Sequence, residues 1–216
     1  MFRLVIFDLD GTLADTKEGI AKTFNKVLAE RGIPAVPAER IYNTVGLSVE
    51  ELFDELVESG RRGRAEMVNR YLEIYKEDAL GKGRLFPGAK EALFALKRAG
   101  LTLAIATGKR HESAELMLEK LGIRKLFAAV VAVDDVENGK PAPDIAERVL
   151  ELTGMRKEDA LIVGDTVHDI EMGKSAGIKT CAVTYGVHSR AALEKAEPDF
   201  MADKAGEIIT IAGCGK

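Results

Sequence analysis

The sequence is short of the features that mark disulfide scaffolds, zinc sites and membrane spans. Its two cysteines, Cys181 and Cys214, follow no metal-binding or redox spacing. No apolar run approaches the roughly 20 residues that cross a bilayer. Basic residues are not in excess, because 31 Lys and Arg stand against 35 Asp and Glu, for a formal net charge of −4. These absences disfavour nucleic acid and membranes as partners.

What the chain does contain is enough apolar residue to build a packed core. Its 216 residues are 46% hydrophobic, which suits one large domain or a core with a smaller unit. Met1 leads directly into an apolar segment with no signal-peptide pattern, so we expect a cytoplasmic protein. The sequence leaves both a monomer and a homodimer open.

The most informative stretch begins with the apolar run Leu4 to Phe7, which predicts a buried strand of a parallel sheet. Asp8 and Asp10 follow it, at the strand end where open α/β sheets bind ligands. On an extended chain their side chains lean to the same side. At ~4 Å two carboxylates repel by about 4 kcal/mol in an effective dielectric of about 20, so a divalent cation is expected beside them. A plain Asp-Gly turn after a strand is the alternative.

The spacing of apolar residues divides the chain into a helical segment and an alternating segment. From about residue 17 to 79 the spacing is helical only, whereas strand and helix patterns alternate after residue 84. The later strands are predicted at 101–106, 128–133, 160–163, 180–183 and 199–202. This order predicts an α/β fold, a doubly wound parallel sheet, with an inserted all-helical domain.

The predicted domains are an α/β core of residues 1–15 and 84–216 and a helical cap of residues 16–83. The two connections, near Asp15 and Gly83, should lie close together. Such an insert could open and close over the sheet edge, or it could be a rigidly packed lobe.

Other predicted strands also end in residues that suit an anion. Thr107 and Gly108 offer a hydroxyl and turn N–H groups, although Thr107 could equally cap the next helix. Lys140 precedes Pro141, which holds it away from helical geometry just before a helix whose N-terminus is itself positive. A fixed lysine in that place indicates a phosphate partner.

A third carboxylate follows the strand predicted at 160–163. Asp165 sits where this strand stops, and Asp169 is one helical turn further on. Asp169 could instead be the negative charge that favours a helix N-terminus. Because Asp165 should reach the same sheet edge as Asp8 and Asp10, the sequence predicts a magnesium site there.

Together these stretches resemble the haloacid dehalogenase superfamily. The four motifs that carry the resemblance are Asp8-Leu9-Asp10-Gly11-Thr12, Thr107-Gly108, Lys140-Pro141 and Gly164-Asp165-Thr166-Val167-His168-Asp169. Their order and spacing cover nearly the whole chain, and the helical insert resembles the first cap type of that superfamily. The phosphoglycolate phosphatase-like and pyrophosphatase-like members are the most similar, in part through residues 184–189.

The resemblance implies phosphoryl transfer, since dehalogenases and phosphonate hydrolases lack an acid at the position of Asp10. Asp8, expected to be ionised at neutral pH as free Asp is, would be the nucleophile, and Asp10 the general acid and base. Mg²⁺ would be held by Asp8, Asp165 and the backbone carbonyl of Asp10. Three residues would bind the phosphate, Thr107, Gly108 and Lys140, while Asp169 would orient a ligand of the metal.

The expected substrate is a small phosphorylated metabolite, of the phosphoglycolate, sugar phosphate or nucleotide type, or pyrophosphate. The loop Gly46-Leu47-Ser48, before a capped helix, is predicted to contact the leaving group, with a plain interhelix turn as the alternative. A phosphosugar mutase with the same acids remains an alternative function, and a non-catalytic phospho-ligand binder is a weaker one. A nucleotide-binding oxidoreductase is disfavoured because no G-x-G-x-x-G follows the first strand.

Overall fold

The fold is known from a computed structural model, which describes residues 2–57, 63–79 and 83–214. Its centre is a six-stranded parallel sheet with strand order β5-β4-β1-β6-β7-β8. The strands are β1 (Leu4–Phe7), β4 (Thr102–Thr107), β5 (Ala129–Ala132), β6 (Ala160–Gly164), β7 (Lys179–Val183) and β8 (Phe200–Ala202). Each strand lies where the sequence predicts it, with ends shifted by at most one residue.

Strand β1 lies in the middle of the sheet, and its register fixes which strand ends meet. Its last residue, Phe7, pairs with Ile105 of β4 on one side and with Val163 of β6 on the other. The residues that follow these strands therefore emerge side by side at the carboxyl edge. This alignment brings the predicted motifs to one place.

Helices cover both faces of the sheet, as predicted for a doubly wound fold. The helices of the core are α5 (Ala89–Arg98), α6 (His111–Lys120), α7 (Asp144–Thr153), α8 (Val167–Ala176), α9 (Arg190–Lys195) and α10 (Glu207–Ile211). Side chains of β1 alternate between two apolar clusters, Leu4 and Ile6 in one and Val5 and Phe7 in the other. Burial on both faces explains why the strand is apolar throughout.

Between the first motif and the rest of the sheet domain, the described residues form four α-helices. These are α1 (Lys17–Glu30), α2 (Ala38–Tyr42), α3 (Val49–Leu56) and α4 (Arg64–Ile74), followed by a π-helical turn at Tyr75–Ala79. The predicted capping box of α3 is present, since Ser48 Oγ accepts from Glu51 N and Glu51 Oε2 accepts from Ser48 N. Aromatic rings join the helices, with Phe24 and Phe53 4.7 Å apart.

A short antiparallel ribbon carries the chain into and out of the helical segment. Strand β2 (Ala14–Asp15) pairs with β3 (Arg84–Leu85), so the two connections are adjacent, as expected. The apolar cluster that contains Phe7 continues from the sheet into these helices. The division into domains at residues 15 and 84 stays a prediction, and residues 58–62 and 80–82 of the predicted cap lie outside the described residues.

Among the strands and α-helices of the described residues, five short ones escaped the sequence analysis: β2, β3, α2, α9 and α10. With only two residues, β2 and β3 have no visible period, and helices of five or six residues show too few turns for one. In the part of the chain that the structure describes, no helix is both long and apolar enough to cross a membrane.

Replacing Phe24 should destabilise the helical segment strongly. Phe24 is fully buried against Phe53, so Phe24→Ala should lower the free energy of unfolding by about 3–5 kcal/mol. Phe94, which is 39% exposed on α5, is the matched control, and Phe94→Ala should cost less than about 1 kcal/mol. Urea denaturation measures both; equal losses would contradict this account of the packing.

Candidate active site

The predicted site residues come from the ends of neighbouring strands. Asp8 follows β1, and its backbone N–H donates to Val163 of β6 at 2.9 Å, so the ladder holds the chain up to this residue. Asp165 follows β6, Thr107 ends β4, and Lys140 lies between β5 and α7. All four side chains are buried. Asp8, Lys140 and Asp165 belong to one interior cluster with Asp169, while Thr107 lines a cavity beside Asp10.

Three carboxylates gather at the centre of this cluster. One oxygen from each of Asp8, Asp165 and Asp169 lies within 4.8 Å of the others, a grouping that could hold a metal ion. The sequence analysis predicts that Asp169 orients a ligand of the metal; in the structure Asp169 itself belongs to the acidic group. Like charges this close in a buried place need a cation among them.

Lys140 supplies part of that positive charge. Its ammonium donates to Asp8 Oδ1 and to Asp169 Oδ1, both at 2.6 Å, and its side chain is 2% exposed. Burial opposes the charged form, yet Asp169 and Asp8 together raise the pKa of Lys140 above its ordinary value. One ammonium set against three carboxylates leaves the cluster with an excess of negative charge.

The pKa values of Asp8 and Asp165 reflect both their burial and this shortage of positive charge. Burial raises the pKa of Asp8 well above its ordinary value, and the Lys140 ammonium only partly opposes the rise. Burial and the neighbouring Asp169 raise the pKa of Asp165 to about 7. The expectation that Asp8 ionises as free Asp does took no account of this burial, which raises the pKa of Asp8.

A divalent cation fits this donor set. Asp8 Oδ2 is buried and, within the described residues, has no hydrogen-bond partner. An unsatisfied carboxylate oxygen, a negative excess and three carboxylates match what a hard cation requires. A cation there would also bring the pKa values of Asp8 and Asp165 down again.

Asp165 is held in a cradle of glycines and hydrogen bonds. Its Oδ1 accepts from the Thr12 hydroxyl at 2.7 Å and its Oδ2 from the Val187 N–H at 2.8 Å. A Cβ on Gly11 or on Gly186 would overlap the Asp165 side chain, so both positions need glycine. Residues 184–189, a weak part of the resemblance, thus have a structural role in fixing this carboxylate.

Asp169 combines both functions that its sequence position allowed. As the third residue of α8 it forms a capping box with Thr166, whose N–H and hydroxyl donate to Asp169 Oδ2 at 3.0 and 2.6 Å. Its other oxygen accepts from Lys140. A Cβ on Gly164 would overlap the Asp169 side chain, so the last residue of β6 must be small. The helix cap therefore orients the acid towards the cluster.

Asp10 has partners of its own. Its Oδ1 accepts from the Thr16 hydroxyl at 2.6 Å, and its Oδ2 lies 3.1 Å from the Lys109 ammonium. The backbone bends at Leu9, so the extended geometry that predicted a shared side for Asp8 and Asp10 is not present. The Asp10 carboxylate is not in the acidic group found in the described residues. Its backbone carbonyl as a metal ligand stays a prediction.

Lys109 and Tyr75 are site residues that the sequence analysis missed. The Lys109 ammonium lies 3.2 Å from the Tyr75 hydroxyl and 4.4 Å from the centroid of its ring. The signal available in the sequence was a lysine directly after Thr107-Gly108 at a strand end. Tyr75 could not be found in this way, because it belongs to the helical segment and reaches the site only through packing.

The loop Gly46-Leu47-Ser48 lies against the strand ends. A Cβ on Gly108 would overlap the carbonyl oxygen of Gly46, and a Cβ on Gly46 would lie 3.0 Å from the Thr166 methyl group. Gly46 also has a φ of +103°, which favours glycine. Thr107 does not cap α6, whose first flanking residue is Arg110. The helical segment is therefore in direct contact with Gly108, one of the residues predicted to bind phosphate.

These contacts border a partly open cavity of about 50 Å³ beside Asp10. From the sheet side it is lined by Asp10, Thr107, Gly108, Lys109, Arg110 and Ser113, and from the helical segment by Ile20, Thr44, Val45, Gly46, Leu47, Val49, Leu52, Tyr71, Leu72 and Tyr75. One end of the cavity thus adjoins the predicted phosphate-binding residues. The remainder of its wall is mostly apolar.

The glycine cradle can be tested by adding one methyl group. Gly186→Ala should force Asp165 to move and lower the free energy of unfolding by about 1–3 kcal/mol, the usual cost of overpacking. Gly206 is the matched control, because nothing lies within 4 Å of a Cβ there, and Gly206→Ala should be neutral or slightly stabilising. Thermal unfolding of the two variants would show it; an unperturbed Gly186→Ala variant would argue against the cradle.

Comparison with known proteins agrees with this geometry. The family model described as haloacid dehalogenase-like hydrolase matches residues 5–183. A probable phosphatase, IndB, from Dickeya dadantii is 37% identical over 215 residues, 97% of this chain and 93% of that protein. The pyrophosphatase PpaX of Bacillus cereus is 35% identical over 207 residues, 96% of this chain and 94% of that one.

A solved structure extends the likeness to three dimensions. The crystal structure of a predicted phosphoglycolate phosphatase from Haemophilus somnus 129pt superimposes with a TM-score of 0.91 at 27% identity, covering 97% of each chain. The family match, the relatives and the shared fold agree with the four motifs at the sheet edge. The chain therefore belongs to the haloacid dehalogenase-like hydrolase family.

Proposed function

We propose that the protein is a magnesium-dependent phosphatase that hydrolyses a small phosphomonoester or pyrophosphate through an aspartyl-phosphate on Asp8. The observation that carries the proposal is the setting of Asp8, buried at the central strand end between Lys140 and two further carboxylates. The names of the relatives, a phosphatase and a pyrophosphatase, support phosphoryl transfer.

In the first step a carboxylate oxygen of Asp8 attacks phosphorus in line with the leaving group. A bond from Asp8 to phosphorus forms while the bond from phosphorus to the leaving oxygen breaks. Asp10 gives its proton to that oxygen, since it lies on the cavity side of the cluster. Lys140 holds Asp8 Oδ1 in place, which orients the nucleophile.

In the second step water attacks the same phosphorus. Asp10, now ionised, takes a proton from this water, the bond between phosphorus and Asp8 breaks, and phosphate is released. Lys109 and the Thr16 hydroxyl hold the Asp10 carboxylate between the steps, at 3.1 and 2.6 Å. Thr107, Gly108 and Lys140 would bind the phosphate oxygens, as the resemblance implies.

Magnesium would be held by the oxygens of Asp8, Asp165 and Asp169, together with the Asp10 carbonyl that the resemblance implies. The ion would supply positive charge that offsets the repulsion between an anionic nucleophile and an anionic phosphate. Residues 16–83 would serve as the cap that keeps bulk water from the reacting groups, since the Gly46 loop packs directly on Gly108.

The nucleophile can be tested with one substitution. Asp8→Asn should reduce phosphate release from p-nitrophenyl phosphate in the presence of Mg²⁺ by roughly 10³-fold or more, because an amide cannot form the covalent intermediate. Asp54→Asn, at a carboxylate that is 51% exposed on α3, is the control and should keep wild-type turnover. Near-normal turnover in the Asp8 variant would defeat the mechanism, and transfer without net release would indicate a mutase.

Metal binding has a readout that is independent of turnover. Mg²⁺ at about 100 times its dissociation constant should stabilise the wild type by about 2.7 kcal/mol, seen as a rise in the thermal midpoint. Asp165→Asn should lose most of this rise, whereas Glu171→Gln, at an exposed position of the adjoining helix α8, should keep it. Removal of Mg²⁺ by a chelator should reverse the rise, and an equal response in the two variants would place the ion elsewhere.

A further inference from the structure

One residue of the segment that cradles Asp165 has no function in the proposed reaction. This residue is Tyr185, which directly precedes Gly186 and Val187. We propose that Tyr185 is a positioning residue for the metal site, whose hydroxyl fixes the backbone of Thr12 so that the Thr12 hydroxyl orients the Asp165 carboxylate. The inference rests on the proposed function, because the ion whose binding it concerns is the magnesium of that reaction.

The hydroxyl of Tyr185 satisfies a buried backbone group. It donates to the carbonyl oxygen of Thr12 at 3.1 Å, although the two residues are 173 positions apart in the sequence. Thr12 is fully buried, and among the described residues its carbonyl has no other hydrogen-bond donor. Because a buried carbonyl without a donor is unfavourable, this hydroxyl favours one position of the Thr12 backbone over others.

The same threonine holds a carboxylate of the acidic group. The hydroxyl of Thr12 donates to Asp165 Oδ1 at 2.7 Å. Its side chain is β-branched and therefore stiff, so a shift of the Thr12 backbone would carry the hydroxyl away from Asp165. Hydrogen-bond partners of a metal-binding carboxylate set its orientation, and replacing one commonly weakens metal binding by about 10- to 100-fold. A residue that fixes Thr12 should therefore influence how well Asp165 binds the ion.

The segment that contains Tyr185 reaches both oxygens of Asp165. The Val187 N–H donates directly to Oδ2 at 2.8 Å, whereas Oδ1 is reached through Thr12. A Cβ on Gly186 would overlap the Asp165 side chain, so the backbone of this segment lies directly against the carboxylate. One short segment after β7 thus holds the acid from two sides.

The ring of Tyr185 has a separate contact, which gives a purely structural alternative. It packs against Phe86, directly after β3, with the two ring centroids 5.0 Å apart. If packing were the only role of Tyr185, phenylalanine would serve equally well, because it keeps the ring and lacks only the hydroxyl. If Tyr185 acts through Thr12, the same change should weaken metal binding and leave the reacting groups intact. Tyr185→Phe therefore separates the two roles.

The experiment measures Mg²⁺ binding by isothermal titration calorimetry in wild type, Tyr185→Phe, Thr12→Val and the double variant. A second readout is phosphate release from p-nitrophenyl phosphate as a function of Mg²⁺ concentration, and thermal unfolding shows that each variant is folded. Tyr42→Phe is the matched control, because Tyr42 is half-buried on α2 and within the described residues makes no hydrogen bond to a residue of the site.

We expect Tyr185→Phe to raise the dissociation constant of Mg²⁺ by about 3- to 10-fold, the size of one uncharged hydrogen bond. Its turnover should return to the wild-type value at saturating Mg²⁺, and Tyr42→Phe should equal wild type throughout. Thr12→Val should bind Mg²⁺ about 10-fold or more weakly than wild type. Adding Tyr185→Phe to Thr12→Val should change the affinity little further, because the two hydroxyls act in series.

Three results would each overturn the inference. They are wild-type Mg²⁺ affinity in either single variant, effects of the two substitutions that multiply in the double variant, and a loss of turnover in Tyr185→Phe that saturating Mg²⁺ does not restore. In each case Mg²⁺-dependent hydrolysis of p-nitrophenyl phosphate by wild type leaves the phosphatase proposal intact. A wild type that neither binds Mg²⁺ nor releases phosphate overturns both proposals.

Discussion

Three buried carboxylates sharing one ammonium are the constraint around which the molecule is built. Asp8, Asp165 and Asp169 repel one another, and Lys140 neutralises only part of their charge. Such a cluster persists only where the surrounding structure holds each member in place. The β1–β6 ladder holds Asp8, glycines and two donors hold Asp165, and the cap of α8 holds Asp169. The same negative excess that strains the protein makes the site ready for a cation.

The site has two sides, and Asp10 lies between them. On one side are the acidic group and Lys140, which concern the phosphoryl group in the proposed reaction. On the other is the cavity with Lys109, part of whose wall is formed by the helical segment. In the proposed reaction Asp10, which lines the cavity, would exchange a proton with the leaving group, while Asp8, two residues earlier, would attack phosphorus. In that proposal the sheet would supply the reacting groups, and the helical segment, which contributes most of the residues lining the cavity, would contact the leaving group.

The sequence was sufficient for the parts of the fold and site that follow from local pattern. Apolar runs located the strands, and polar residues at their ends located Asp8, Thr107, Lys140 and Asp165, because parallel strands share one carboxyl edge. Contacts between residues that are far apart in the sequence could not be predicted from it. The glycine cradle joins residues 11 and 186 to Asp165, and Tyr75 meets Lys109 only after the helices have packed. The raised pKa values likewise come from burial, which no local motif states.

The β2–β3 ribbon bears on how the helical segment can be displaced relative to the sheet. Two independent connecting segments would allow the helical segment both to rotate and to translate relative to the sheet. Here the two connecting segments are joined by strand pairing, Ala14 with Leu85 and Asp15 with Arg84. In addition, the Phe86 N–H donates to the Leu13 carbonyl oxygen at 3.0 Å. A paired ribbon of that kind would act as a single hinge, which bends about one axis and resists shear. Were the helical segment to open, closure would then return the Gly46 loop to the same place against Gly108.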